Sequence, residues 1–495
     1  MLFLTSRMIK EAEQRALEDV SSLHLIENAA RALYNELKEF KSVRIYCGKG
    51  NNGSDGYATA ILLKKNGIRT EIVQVQAPQS EECIFLARKA AEEGIDFLSF
   101  NLVSEAPECI LDAIFGIGIS GEITDQTIKN VIDAINVSDA YVVSADIPSG
   151  MNADTGEECS VCVRADKTVT FTAPKCGMLS GSSVDLCGEI VIKEVGIPVN
   201  YTGITDSTCV PITDRLAKTI LPIRKRYSHK GTFGTAVIVA GSSTMPGACA
   251  MAAMAALRSG CGLIKVIAPV SICRVLNILV KEAIVIPVPE QNGIMLPSLT
   301  PSAIEAIKTA DSILVGCGLG KGEHHLLIKN ILSNSSAGVI IDADGINSLC
   351  TNLDIIRNKN ILLTPHPKEF SRISGISVAD IEKSRIQAAD TFARENGIHL
   401  LLKGSRTVIT YGGSHKYVSL EASSALAKAG SGDVLAGIIV ALVAQNIPLT
   451  DSAALACLIH TRAGLIAEKT IGAYGTTADD LIKLIPDAIK SIQNV

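Results

Sequence analysis

The chain has no tryptophan, and aromatic residues make up only 4% of its 495 residues. Its cores must therefore be packed mainly from Ile, Leu, Val and Ala. It also lacks a second Cys-x-x-Cys pair: Cys159 and Cys162 in CSVC stand alone, with no nearby histidine pair to complete a zinc set, so they read as structural. The fourteen cysteines are scattered, several (Cys109, Cys261, Cys457) inside apolar runs. That pattern suits buried thiols in a reducing compartment better than a disulfide framework. No apolar run reaches membrane-spanning length, the longest being 434–444, and MLFLTSR is too short for a signal-peptide core. A soluble cytoplasmic protein is expected. Nor is there an excess of positive charge: the formal net charge of -5 argues against a broad nucleic-acid or anionic-membrane surface.

What is present is an ordinary globular composition, 47% hydrophobic and 20% charged, in a chain long enough for two or more domains. The N-terminal part alternates strand-like runs (SVRIYCG, TEIVQVQ, AYVVSAD) with helix-like ones (DGYATAILLKKNG, EECIFLARKAAEEG, DQTIKNVIDAINV). This order predicts a parallel sheet covered on both faces. Periodicity fades between 198 and 231, where the basic stretch IRKRYSHKG lies. The alternation resumes with GTAVIVAG, an Ala-rich helix over 247–258, LIKVIAP, SILVGCG, GVIIDADG, ILLTPHP and HLLLKG. From 430 onward the pattern is mostly helical. The expectation is an α/β protein of two domains, 1–212 and 213–495, without internal repeats or low-complexity segments.

Three polar clusters fall at strand ends of the first domain, where open α/β sheets bind ligands: GKGNNGSDG, DAIFGIGISGE and DIPSG. A Gly-rich strand-to-helix turn lets backbone N–H groups approach an anion at the helix N-terminus; a tight bend with Asp55 as cap is the plainer alternative. In this order the clusters, with LIENAA before them and GEIVIKEVGIP after, resemble the NAD(P)H-hydrate epimerase domain over about the first 210 residues. The resemblance implies a Rossmann-like three-layer sandwich. It also implies a hydrated nicotinamide nucleotide on Asn51, Asn52, Gly53, Ser54 and Asp55, and phosphates wrapped by Gly116, Ile117, Gly118, Ile119, Ser120, Gly121 and Glu122. A potassium ion would sit on Asn52, Asp112 and Ser149. Asp146 would face the ring as acid/base, its pKa raised by partial burial, in preference to Asp55. The family commonly has glycine where Ser54 stands. Lys175, in APKCGM, falls in a family-like segment and reads equally as a solvated surface lysine.

The C-terminal half carries ASSALAKAGSGDVLAGI. Two glycines and an aspartate at a helix start form an anion hole from backbone amides and the helix dipole, with a carboxylate beside it. This resembles the catalytic turn of the ribokinase-like fold. Together with HKGTFGTAVIVAGS, MPGACAMAAMAALRSGCGLIKV, VGCGLG, DADGIN, LTPHPKEF and LLKGSRTVI, it resembles the NAD(P)H-hydrate dehydratase family over about 220–490. By that resemblance Lys403, Gly404, Ser405, Arg406, Thr407 and Gly432 hold the adenine nucleotide. Asp433 deprotonates the substrate hydroxyl, and Ala248, Gly318 and His366 line the hydrate pocket. ADP is the implied phosphoryl donor, by likeness to the prokaryotic two-domain arrangement, although the residues themselves do not separate ADP from ATP. Asp342 and Asp344 are either structural or steer a magnesium-nucleotide. His324 and His325 read as solvated. Cys317, Ser431 and Lys368 replace the family's commoner proline, threonine and glycine.

The expected function is thus epimerisation of the R and S hydrates of NADH and NADPH, followed by ADP-dependent dehydration of the S form to NAD(P)H with release of AMP and phosphate. Small-molecule partners are expected, with no nucleic acid or membrane, and a homo-oligomer. Two rivals stand beside it. A plain small-molecule kinase with an inert first domain would leave a lasting phosphorylated product. A first domain that only binds protein or RNA would have no need of Asp112 and Asp146.

Overall fold

The computed structural model describes residues 3–100, 106–119, 121–181, 183–198, 209–413 and 416–494. The chain divides into two compact units, Met1–Thr208 and Cys209–Val495. The strand Cys209–Ile212, which the sequence reading left in the first domain, hydrogen-bonds into the sheet of the second unit. The boundary therefore moves to 208/209. Backbone pairing, invisible to periodicity in so short a run, decides the assignment.

In the first unit seven strands form one parallel sheet: β1 Ser42–Cys47, β2 Arg69–Gln74, β3 Asp96–Leu98, β4 Cys109–Ala113, β5 Tyr141–Ala145, β6 Lys167–Phe171 and β7 Glu189–Lys193. Their spatial order is β3-β2-β1-β4-β5-β6-β7. Residues of period two go to opposite faces. Ile45, Leu111 and Val143 enter one core with the helices Ser22–Leu37 and Asn51–Lys65, whereas Tyr46, Ile110 and Val142 enter another with Gln126–Asn136. The helices start where small polar side chains supply a cap: Ser21, Ser80 and Asp125 accept from backbone N–H groups of the first turns. Strand order reverses between β1 and β4, which opens a crevice at their carboxyl ends.

The second unit holds a ten-stranded mixed sheet. In spatial order its strands are Ile284–Val288, Leu263–Pro269, Thr235–Val239, Ser312–Val315, Gly338–Ile341, Ile361–Leu363, His399–Leu402, Val408–Tyr411, Lys416–Ser419 and Cys209–Ile212. The first seven run parallel, Val408–Tyr411 is antiparallel to both neighbours, and the edge strand Cys209–Ile212 is parallel to Lys416–Ser419. The apolar run at 434–444 lies in the helix Ser431–Ala444, packed on the Ala-rich helix Pro246–Arg258. The two helices approach closely enough that a Cβ on Gly437 would lie 2.2 Å from the Ala252 carbonyl oxygen. Among the described residues no helix is long and apolar enough to cross a membrane, and all fourteen cysteines are free thiols.

Candidate functional sites

A pocket of about 570 Å³ opens at the β1/β4 crevice. Of the residues that the family resemblance assigns to substrate, Asn51, Asn52, Asp55, Gly116, Ile117, Gly118, Ile119 and Asp146 line it. The helix starts at Asn51, ahead of the acidic residue, and its N-cap is Gly50. Asp55 is therefore no cap. It lies in the helix, buried and facing the pocket. Gly53 and Ser54 do not line the pocket. A Cβ on Gly53 would meet the Gly48 carbonyl oxygen at 2.1 Å, so Gly53 allows the helix to approach the preceding turn, and Ser54 Oγ donates to the Gly50 carbonyl at 3.3 Å, bracing the first helical turn. Gly121 and Glu122 are exposed and outside the pocket lining, because the loop has turned away by then. Ser120 lies outside the described residues.

Beneath the pocket, fully buried Asp112 accepts hydrogen bonds from Ser144 Oγ (2.8 Å), Ser149 N (2.8 Å), Ser149 Oγ (2.5 Å) and Ile114 N (3.3 Å). Burial raises its pKa, and these bonds only partly oppose the rise. Asn52 Nδ2 donates to the Phe115 carbonyl at 2.9 Å, while Phe115 N donates to Ser149 Oγ at 2.8 Å. The chemistry of this set is carboxylate, hydroxyl, carbonyl and amide oxygen, the donor type that a hard cation prefers.

Asp146 adopts φ +67° and accepts from Phe171 N at 3.1 Å and from Lys175 Nζ. Lys175 is fully buried, not solvated: its Nζ also donates to Thr170 Oγ1 (2.8 Å) and the Phe171 carbonyl (3.2 Å). Burial lowers its pKa although Asp146 works to raise it. The carboxyls pushed upward are Asp55 and Glu13, each by burial first and then by the Asp146 charge. The pocket thus holds one ion pair and two carboxyls whose pKa values burial raises. Among the other polar lining residues, Lys10, Glu13, Lys49 and Thr172 carry no role in the sequence reading. Lys49 lies within the GKGNNG motif itself, a signal that was available; the others come from elements with no motif.

In the second unit the GSGD turn meets the ends of several strands. Gly430, at φ +85°, starts the helix Ser431–Ala444 and places Asp433 in its first turn. A Cβ on Gly432 would lie 3.5 Å from Lys403 Nζ and 4.0 Å from Asp342 Oδ2. Asp342, nearly fully buried, is held by Lys403 Nζ (2.9 Å) and Thr364 Oγ1 (2.7 Å). Ligand-type atoms of Cys317, Asp342 and Asp433 all lie within 4.8 Å of one another. Burial, then repulsion by Asp342, pushes Asp433 up to about 7. Burial disfavours the Lys403 ammonium, but Asp342 and Glu369 outweigh it and keep its pKa above the usual value.

Gly318, at φ +61°, leaves no room for a side chain against Ala248, whose Cβ would be 2.9 Å away. The two predicted pocket residues are therefore neighbours. His366 is half-buried, and its Nδ1 accepts from Lys368 N (3.1 Å) and Glu369 N (3.2 Å), capping the helix Pro367–Ser374. Gly404 and Ser405 are exposed at the strand end, whereas Arg406 and Thr407 are buried. Arg406 donates to the Leu420 carbonyl and Thr407 Oγ1 to the Gly404 carbonyl at 2.9 Å, so these two side chains brace the loop from inside. His324 is buried, with Nε2 3.0 Å from the Gly320 carbonyl, and is not solvated; His325 is half-buried. Asp344 Oδ2 accepts from Gly320 N at 2.9 Å. With Lys403 already facing Asp342, the oxygen donors left suit magnesium brought in on phosphates and met by a carboxylate or two.

A parallel-sheet unit whose pocket is lined by three lysines and three carboxyls, and a kinase-like α/β unit with a half-buried aspartate at a helix start, define a two-site nucleotide enzyme. Residues 236–487 match the NAD(P)H-hydrate dehydratase family, and residues 22–177 match the family described as YjeF-related protein N-terminus. The bifunctional NAD(P)H-hydrate repair enzyme Nnr of Dictyoglomus turgidum is 33% identical, the match covering 99% of each chain. The enzyme of the same name from Escherichia coli K12 is 33% identical over 89% of this chain and 84% of its own. The crystal structure of a ribokinase-like superfamily protein from Enterococcus faecalis, 25% identical, covers 58% of this chain and 97% of its own at a TM-score of 0.50. The chain belongs to the bifunctional NAD(P)H-hydrate repair enzymes, and its two units are the epimerase and dehydratase domains of that family.

Proposed function

We propose that the first pocket interconverts the R and S hydrates through Asp146. Lys175 pairs with this carboxylate and fixes its position, and Asp55, whose pKa burial raises, faces the same pocket and returns the proton. General acid–base exchange needs two proton-carrying groups that face one substrate, and both carboxyls line this pocket. Lys49 and the amides of Gly116 to Ile119 face the substrate phosphates. Asn52, Asp112 and Ser149 would hold potassium, which supplies a fixed positive charge near those phosphates when bound.

In the second unit Asp433 removes the proton from the hydroxyl that water added to the nicotinamide ring. The amides of the GSGD turn and Lys403 bind the phosphoryl oxygens of ADP, and Gly404 and Ser405 contact the nucleotide through backbone. Asp344 would meet magnesium carried on the phosphates, which neutralises phosphate charge when bound. The hydroxyl oxygen takes the β-phosphoryl group of ADP and AMP leaves; phosphate is then eliminated together with a proton from the adjacent ring carbon, which restores the reduced nicotinamide. Ala248, Gly318 and His366 form the hydrate side of this site. The protein acts in the cytoplasm as a homo-oligomer, to be checked by sedimentation.

The observation that carries this reading is Asp433 at the amide-rich start of its helix, beside Lys403 and Asp342. The experiment is Asp433→Asn with mixed hydrates and ADP, following nicotinamide absorbance and phosphate release. Loss of about 10²-fold or more in recovery is expected, with epimerisation intact; recovery at the original rate sinks the assignment. Running ATP in place of ADP tests the donor, which is ADP if ATP supports slower turnover.

A further inference from the structure

The pocket of the first unit contains a polar group that none of the motifs reach. Thr172 lines it and is only 2% exposed, and its Oγ1 is buried with no hydrogen-bond partner. A buried hydroxyl left unpaired is costly, so a fold that keeps one beside a ligand pocket has a reason to do so. The backbone there is as unusual as the side chain. Thr172 has φ +65°, and Ala173 N donates to the Phe171 carbonyl at 2.7 Å, closing a three-residue turn of the strained, positive-φ kind. A β-branched residue is a true outlier in that region, held there only by its surroundings.

Asp146 sits in the same kind of turn, with φ +67° and Ile147 N donating to the Ala145 carbonyl at 2.9 Å. The two turns end the neighbouring strands β5 and β6, and Asp146 Oδ1 accepts from Phe171 N at 3.1 Å, which ties one to the other. The Thr172 backbone N–H is already spent on the Lys193 carbonyl at 2.8 Å. The donor it has left for a ligand is its side-chain hydroxyl. Paired strained turns therefore bring one carboxylate and one free hydroxyl to the same pocket.

Resting on the epimerase reading above, we propose that Thr172 Oγ1 hydrogen-bonds the hydroxyl that hydration adds to the nicotinamide ring, so that the pocket selects hydrated over intact NAD(P)H. A hydroxyl both donates and accepts, and it matches another hydroxyl. The intact ring carries no oxygen at that carbon and leaves Thr172 unpaired. Sites with a buried polar group reject ligands lacking its partner far more strongly than apolar sites reject a missing methylene.

The test uses the full chain without ADP, so that only epimerisation runs, with one purified NADH-hydrate epimer as substrate and intact NADH as competitor. Thr172→Val keeps the β-branched shape, and with it the backbone strain, but removes the hydroxyl. It should raise KM for the hydrate about tenfold or more, while inhibition by intact NADH stays the same or strengthens; Thr172→Ser should restore the hydrate preference. Equal weakening of hydrate and NADH would mean that the residue reads the carboxamide common to both, and overturns the proposal. So does an unchanged KM in the Val variant with an unchanged melting temperature. If the Val variant unfolds, the Ser variant and a Thr172→Ala variant decide by the same ratio of hydrate KM to NADH inhibition. A wild-type chain that does not epimerise hydrates would instead remove the function on which the proposal stands.

Discussion

Asp433 has neighbours that pull in opposite directions. Burial and the Asp342 charge raise its pKa to about 7, and Lys403 lowers it. A general base must be ionised, so dehydration should fall as pH drops through about 7 and level off above it. Asp342→Asn removes the repulsion and frees Lys403 to act on Asp433 alone. Both changes favour the carboxylate, and the acid limb of the kcat/KM profile should move about one pH unit lower. An unmoved limb would mean that the group titrating in the profile is not Asp433. At this scale the sequence was legible where chemistry is local. GSGD announces a helix start and a carboxylate, and the structure delivers both. It was silent where the partner is remote. Whether Lys175 is a surface lysine or half of a buried ion pair depends on Asp146, twenty-nine residues away. Arg406 sits inside a motif yet turns into the core because the Leu420 carbonyl lies there to receive it.

At the scale of elements, the position of Asp433 is inherited from how its helix packs. The helix Ser431–Ala444 lies on Pro246–Arg258 across Gly437, where an added Cβ would meet the Ala252 carbonyl at 2.2 Å and the Ala255 Cβ at 2.8 Å. Gly437→Ala should push the helices apart and cost about 1–3 kcal/mol, as overpacking does. The check is the urea midpoint of the second unit. Dehydration should fall with it and epimerisation should not. Strands with continuous apolar runs and helices with polar caps were readable from pattern alone. The helix Asn51–Lys65 begins four residues before its pattern becomes readable, because NNGSDG looks like a turn by composition. It is helical because Gly53 and Gly56 let that helix lie against Gly48, Cys47 and Ala113. Glycine there serves contact between elements, which propensity does not register.

For the whole molecule, two units with separate cores carry two steps of one repair. If the dehydratase accepts the S form alone, an Asp146→Ala chain given mixed hydrates and ADP should recover NADH in two phases. The fast phase should equal the S fraction and the remainder should follow slowly. The wild type should proceed to completion in a single phase. Chromatography of the residual hydrate distinguishes the cases, and residual R form in the variant is the expected finding. The alternation of strands and helices made the two α/β units legible along the chain. The edge of the second unit was not, since the strand Cys209–Ile212 lies within a stretch without periodicity and pairs with a strand far beyond it.

That pairing has a consequence for how the protein is made. Cys209–Ile212 is the earliest strand of its unit to leave the ribosome, yet the neighbour it docks on, Lys416–Ser419, is among the last parts of the sheet to be synthesised. Until then its amides and carbonyls wait in solvent, and the unit stays unlatched. Completion of the second sheet is therefore a late event of chain growth, and the strand that opens the unit is also the one that closes it.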